Sequence, residues 1–163
     1  MNFGFSIIEK NNLIPNFYNF LKITKNLVLT SKIYSFNINK TSPQILGAGL
    51  QYYFGFNDTL NWITSLQKVD IKGLKHYRLS TVTLSISKKK NFNNFEIFYG
   101  LGSNFYKEKS YINFKNIPKR IEGQINYLDI CILSRFKFFN ISLNLISSLD
   151  YKIISLIIQK DFF

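Results

Sequence analysis

Apolar residues in this chain recur at every second position. In Ile45–Phe54, Leu46, Ala48, Leu50, Tyr52 and Phe54 share one face, opposite Ile45, Gly47, Gly49, Gln51 and Tyr53. In Asn94–Tyr106 one face begins Phe95, Ile97, Tyr99, Leu101, and the other reads Asn94, Glu96, Phe98, Gly100, Gly102, Asn104. Val82, Leu84 and Ile86 oppose Thr81, Thr83, Ser85 and Ser87; Leu128, Ile130 and Ile132 oppose Asp129 and Cys131. Ile141, Leu143 and Leu145, then Ile154, Leu156 and Ile158, continue the pattern. A period of two with β-branched and aromatic enrichment is strand periodicity, and no segment carries a helical apolar stripe. The alternation predicts strands at 2–9, 17–25, 27–37, 44–55, 58–68, 77–88, 93–106, 123–134, 137–148 and 151–162. That map gives ten strands; dropping those within Phe17–Phe36, where the pattern drifts between faces, gives eight. Asn, Gly and Pro clusters separate them, and residues 1–163 read as a single all-β domain.

The polar face decides between a soluble sandwich and a membrane barrel. A sandwich turns charged residues outward from an apolar core. Here the polar face at strand centres is Gly, Ser, Thr, Asn and Gln, while Lys and Arg collect toward strand ends, as at Lys88–Lys90, Lys107–Lys109 and Lys119-Arg120. Small polar residues suit the lumen of a narrow, closed, antiparallel up-and-down transmembrane β-barrel whose outside meets lipid. Tyr52, Phe54, Trp62, Tyr99, Phe105 and Tyr106 are candidates for its interfacial aromatics. Tight connections at 26, 56–57, 89–92 and 135–137 alternate with longer ones at 10–16, 38–43, 69–76 and 107–122, the alternation of outer-membrane barrels. Only the connection at 149–150 is short where a long one is expected.

Composition narrows the chemistry. The chain has 163 residues, 21 Lys+Arg against 9 Asp+Glu, a net charge of +12, and 17% aromatic residues. One Cys and one His exclude a disulfide scaffold and a multi-histidine metal centre; no cofactor is expected. Cys131 reads as an inert thiol, and the Gly-x-Gly pairs at 47–49 and 100–102 sit inside strands, where phosphate-cradling loops do not. Glu96 and Asp129 share the small-residue face of neighbouring strands and need cationic partners there; Arg78, Lys68 and Arg135 are the candidates for a lumen polar network. Lys107, Lys109, Lys115, Lys119 and Arg120 lie in the longest predicted loop and fit contact with lipid headgroups or a surface partner. A soluble basic barrel binding nucleic acid through such residues is the alternative, although no recognition motif accompanies it. A lipocalin-like carrier would need the apolar face as its lumen. The first residues, MNFGFSIIEKNN, lack the basic start, apolar run and cleavage site of a leader. A non-exported protein, a removed leader and a shortened gene model all fit that start.

The stretches GAGLQYYFGFND (47–58) and FEIFYGLGSNFY (95–106), with the terminal aromatic Phe163, resemble small bacterial outer-membrane β-barrels of the OmpA/OmpX and opacity types. The resemblance implies an outer-membrane location and a structural or interaction role with at most a narrow pore. It also implies contact with lipopolysaccharide, and recognition of Phe163 by the barrel-assembly machinery. A lipid-modifying enzyme is the other membrane alternative. His76 suggests it, but the outer-membrane lipid A deacylases carry His-x-Ser, and here position 78 is Arg78. No catalytic residue is assigned.

Overall fold

The computed structural model describes residues 2–8, 12–35, 42–56, 59–74, 76–112 and 118–159, with side chains described within 18–158. Its elements are all strands: β1 Asn2–Ile8, β2 Asn12–Lys22, β3 Leu27–Ser35, β4 Gln44–Phe54, β5 Trp62–Lys72, β6 Tyr77–Asn91, β7 Phe95–Ser110, β8 Arg120–Arg135, β9 Asn140–Ser147 and β10 Lys152–Gln159. Each pairs antiparallel with its neighbours in sequence, so the sheet is up-and-down throughout. It curls as a barrel wall, and β1 runs antiparallel to β10 as well as to β2, with Phe3 opposite both Ile158 and Phe17.

The sheet is inside out relative to a soluble domain. Leu66, Leu84, Leu101, Leu128 and Leu143 are 45%, 47%, 59%, 56% and 48% exposed, whereas the buried hydrophobic residues among the described ones are Ile45 and Ile63 at 6% and 8%. The exposed leucines stand on the outer face at mid-strand, Leu50 opposite Leu66 and Leu66 opposite Leu84. Thr30, Ser142 and Ser155 are buried on the concave side. An apolar carrier lumen would require the reverse.

Small residues line the concave side because the wall is tight. A side chain on Gly49 would place a Cβ 2.6 Å from the Leu66 carbonyl oxygen, and one on Gly100 would place it 2.3 Å from that of Ile86. Between β7 and β8 the arrangement is reciprocal. Gly102 lies opposite Tyr127 and Tyr106 opposite Gly123, each tyrosine ring lying where the glycine lacks a Cβ. Tyr106 therefore faces the lumen, not an interfacial girdle as its place near a predicted strand end suggested.

The β6–β7, β8–β9 and β9–β10 turns close with main-chain bonds, Phe92 N to Phe95 O (2.8 Å), Phe136 N to Phe139 O (2.9 Å) and Ser148 N to Tyr151 O (2.9 Å). Several connections differ from expectation: Lys89–Asn91, expected in a tight turn, belong to β6, and β9 starts only at Asn140. Residues 107–110 and 120–122, expected in a long loop, continue β7 and β8. β5 starts at Trp62 and runs to Lys72, four residues later than its expected start at 58. β2 begins at Asn12 and includes Pro15, expected in a connection.

Candidate functional site

The regions carrying charge or polarity that the fold must explain are the lumen, the upper sheet and the short-turn rim. In the lumen, Glu96 accepts from Arg135 (2.9 Å) and pairs with Lys89 (2.8 Å), its side chain only 13% exposed. The expected Glu96–Arg135 pairing is therefore present, with Lys89 as a third member. Asp129 faces the same lumen further along β8, opposite Gly100, hydrogen-bonded to Asn144 and not to a cation. Arg78 is not in the lumen. The register places it on the outer face, where it pairs with Asp70 at 3.7 Å. Lys68 also faces outward, opposite Ala48 and Val82. Tyr127 is hydrogen-bonded to Ser85 across β7. Cys131 faces the same interior and is partly buried.

Beyond the apolar belt, β6, β7 and β8 continue as a tall sheet whose outer face turns polar: Ser80 and Arg78 on β6, Lys107 and Lys109 on β7, Asn126, Gln124, Glu122 and Arg120 on β8. Glu122 bonds Arg120 and lies 3.4 Å from Lys107. The Arg120 guanidinium, aided by Lys107, holds the Glu122 carboxyl below its ordinary range. Ser103 donates to Asn126 (2.7 Å), and Gln124 donates to the same oxygen (2.8 Å). Lys109 lies 5.8 Å from the Tyr111 ring, and Tyr111 N donates to the His76 carbonyl (2.8 Å), tying the top of β7 to the β5–β6 connection. Of the expected contact residues, Lys107, Lys109 and Arg120 meet on this upper sheet, and Lys119 lies just before β8, its carbonyl accepting from Ser110 N (3.0 Å). Lys115 and Phe163 lie outside the described residues.

Among the described residues, this sheet also has a bare edge. Over Arg120–Tyr127, β8 pairs with β7 on one side only, because β9 pairs no further than Ser147, opposite Leu128, before the chain turns back into β10. The short connection that broke the expected alternation is what leaves the edge uncovered among the described residues. Sequence reading missed the edge: the signal was present at 149–150, but only the pairing shows which strand it exposes.

His76 is exposed and its side chain enters no hydrogen bond or ion pair with a described residue, while Ser80 stands on the outer face opposite Asp70 and Lys107. No group of three or more His, Cys, Asp or Glu residues that would hold a metal ion occurs among the described residues.

No family model matches the chain, and no curated protein matches it by sequence. Among solved structures it is similar to Ail, the attachment invasion locus protein of Yersinia pestis, at 13% identity and a TM-score of 0.30, over 96% of this chain and 89% of that one. A TM-score of that size is too low to carry an assignment, which rests instead on the chain's own exposure pattern.

Proposed function

We propose that the chain is a small bacterial outer-membrane protein, a closed ten-stranded barrel that acts as an interaction module and not as a wide pore. The observation that carries this reading is the leucine belt on the convex face. Apolar surface of that extent is stable against lipid and not against water. The seam between β1 and β10 removes the edge that such a sheet would otherwise present to the bilayer. The rings of Tyr127 and Tyr106, lying on the lumen side over Gly102 and Gly123, oppose a wide channel.

The work of the molecule then falls to the upper β6–β8 sheet. Arg78, Lys107, Lys109 and Arg120 outnumber Asp70 and Glu122 there, with Lys119 next to them in the chain, which favours phosphates of lipopolysaccharide beside the barrel wall. The uncovered edge of β8 is where an extended segment of a surface partner adds as a further strand. Phe163 belongs to the same reading, as the residue offered to the assembly machinery. Neither soluble alternative accounts for the belt: a nucleic-acid-binding barrel would expose cations, not leucines, around its girth.

The test is membrane fractionation after expression behind a leader, with gel migration of boiled and unboiled samples. Recovery in the outer-membrane fraction with a band that shifts on boiling supports the barrel. A soluble protein that shows no shift without detergent ends the membrane reading and reopens nucleic-acid binding.

A further inference from the structure

The run Lys88-Lys89-Lys90 is divided by the pleat of β6. Lys89 turns inward to Glu96, while Lys88 and Lys90 face out at the short-turn rim. Lys88 lies between Trp62 of β5 and Tyr99 of β7, its Nζ 5.3 Å from the Trp62 ring. Lys90 lies opposite Ile97, with its Nζ 5.4 Å from Phe92, and Phe92 stacks on Phe95 at 4.9 Å. Phe54 stacks on the other side of Trp62 at 6.4 Å. Neither outward lysine pairs with a carboxylate among the described residues; the nearby acid, Glu96, is inside and held by Lys89 and Arg135.

Two lysines on one strand face, two residues apart, have Cα atoms about 6.6 Å from each other. At that spacing their ammonium groups can share one phosphate, each through a charge-assisted bond of about 2.8 Å. Toward mid-strand from them the outer face continues as Ile86, Leu84 and Leu101, apolar surface against which acyl chains lie. Short turns mark the rim of the periplasmic leaflet. We propose that this rim is a binding site for an anionic glycerophospholipid, with its phosphate between Lys88 and Lys90, its glycerol region among Trp62, Tyr99 and Phe95, and its chains along the leucine belt. A zwitterionic lipid offers the same phosphate beside a cation that the two lysines repel, so the site discriminates by headgroup charge. The inference rests on the membrane reading above.

Trp62 is the chain's single tryptophan, which makes its fluorescence a reporter at the site. The protein is refolded into phosphatidylcholine vesicles containing increasing fractions of either phosphatidylglycerol or phosphatidylcholine dibrominated in the acyl chains. The expected result is a preference of about fivefold or more for quenching by the anionic lipid. That preference falls to near unity in K88Q/K90Q and to an intermediate value in K88Q, with the boiling-dependent gel shift intact, and it persists in K107Q/K109Q at the opposite end. Equal quenching by the two lipids in the unsubstituted protein overturns the site while leaving the barrel standing. So does a preference that survives K88Q/K90Q, or one lost equally in K107Q/K109Q. Quenching by neither lipid means that Trp62 does not face a bilayer, and then the membrane reading fails with it.

Discussion

A Cβ at Gly102 would stand 2.2 Å from Cζ of Tyr127, and one at Gly123 would stand 2.4 Å from the Tyr106 hydroxyl. The Tyr127 ring is held in place: it is hydrogen-bonded to Ser85 and half-buried within the wall. Gly102→Val is therefore expected to lower stability by about 1–3 kcal/mol, the ordinary cost of overpacking, read from urea unfolding of the refolded protein. In the double variant with Tyr127→Ala the two losses should sum to less than their separate values, because the clash disappears with the ring. A strictly additive result would mean that the contact is not the source of the cost.

The strands that cross the belt were legible because lipid imposes an apolar outer face. Leu46 to Phe54 and Leu128 to Ile132 alternate cleanly for that reason. Where β7 and β8 rise past the belt, water replaces lipid, Lys107, Lys109, Gln124 and Glu122 replace leucine, and no apolar period remains to be read. That is why 107–122 looked like a loop. Arg78 was misplaced for a related reason: at the start of β6 the apolar residues Tyr77 and Leu79 take the inner face and Arg78 and Ser80 the outer one, the reverse of the apolar-out pattern in the belt. The same boundary makes a prediction within one strand. Leu128→Arg, in the belt, should cost about 2–4 kcal/mol, and Gln124→Arg, on the same face above it, about 0–1 kcal/mol. Equal costs in refolding titrations would place both residues in one environment and remove the boundary.

At the scale of the molecule, the wall separates an interior from an exterior, and Cys131 tests that separation because it is the one thiol in the chain and faces inward. A bulky maleimide reagent should leave it unmodified in the refolded protein and modify it fully in denaturant. Rapid labelling of the folded form would mean that the wall is open along β8. A sheet in which every strand lies beside its sequence neighbours has one characteristic hazard, slippage, and β7 with β8, joined like β6 with β7 over fifteen paired positions, has a long ladder over which to slip. A shift by one residue is prevented by the belt, since it would turn every leucine inward. A shift by two keeps the faces and needs another guard. Moving in one direction sets Tyr127 against Asn104 and Tyr106 against Ile125; moving in the other leaves Tyr127 a glycine at Gly100 but sets Tyr106 against Ile121. In both cases at least one ring loses its recess. The crossed glycine–tyrosine pairs thus act as an alignment key, accepting one register of the hairpin and rejecting its nearest competitors.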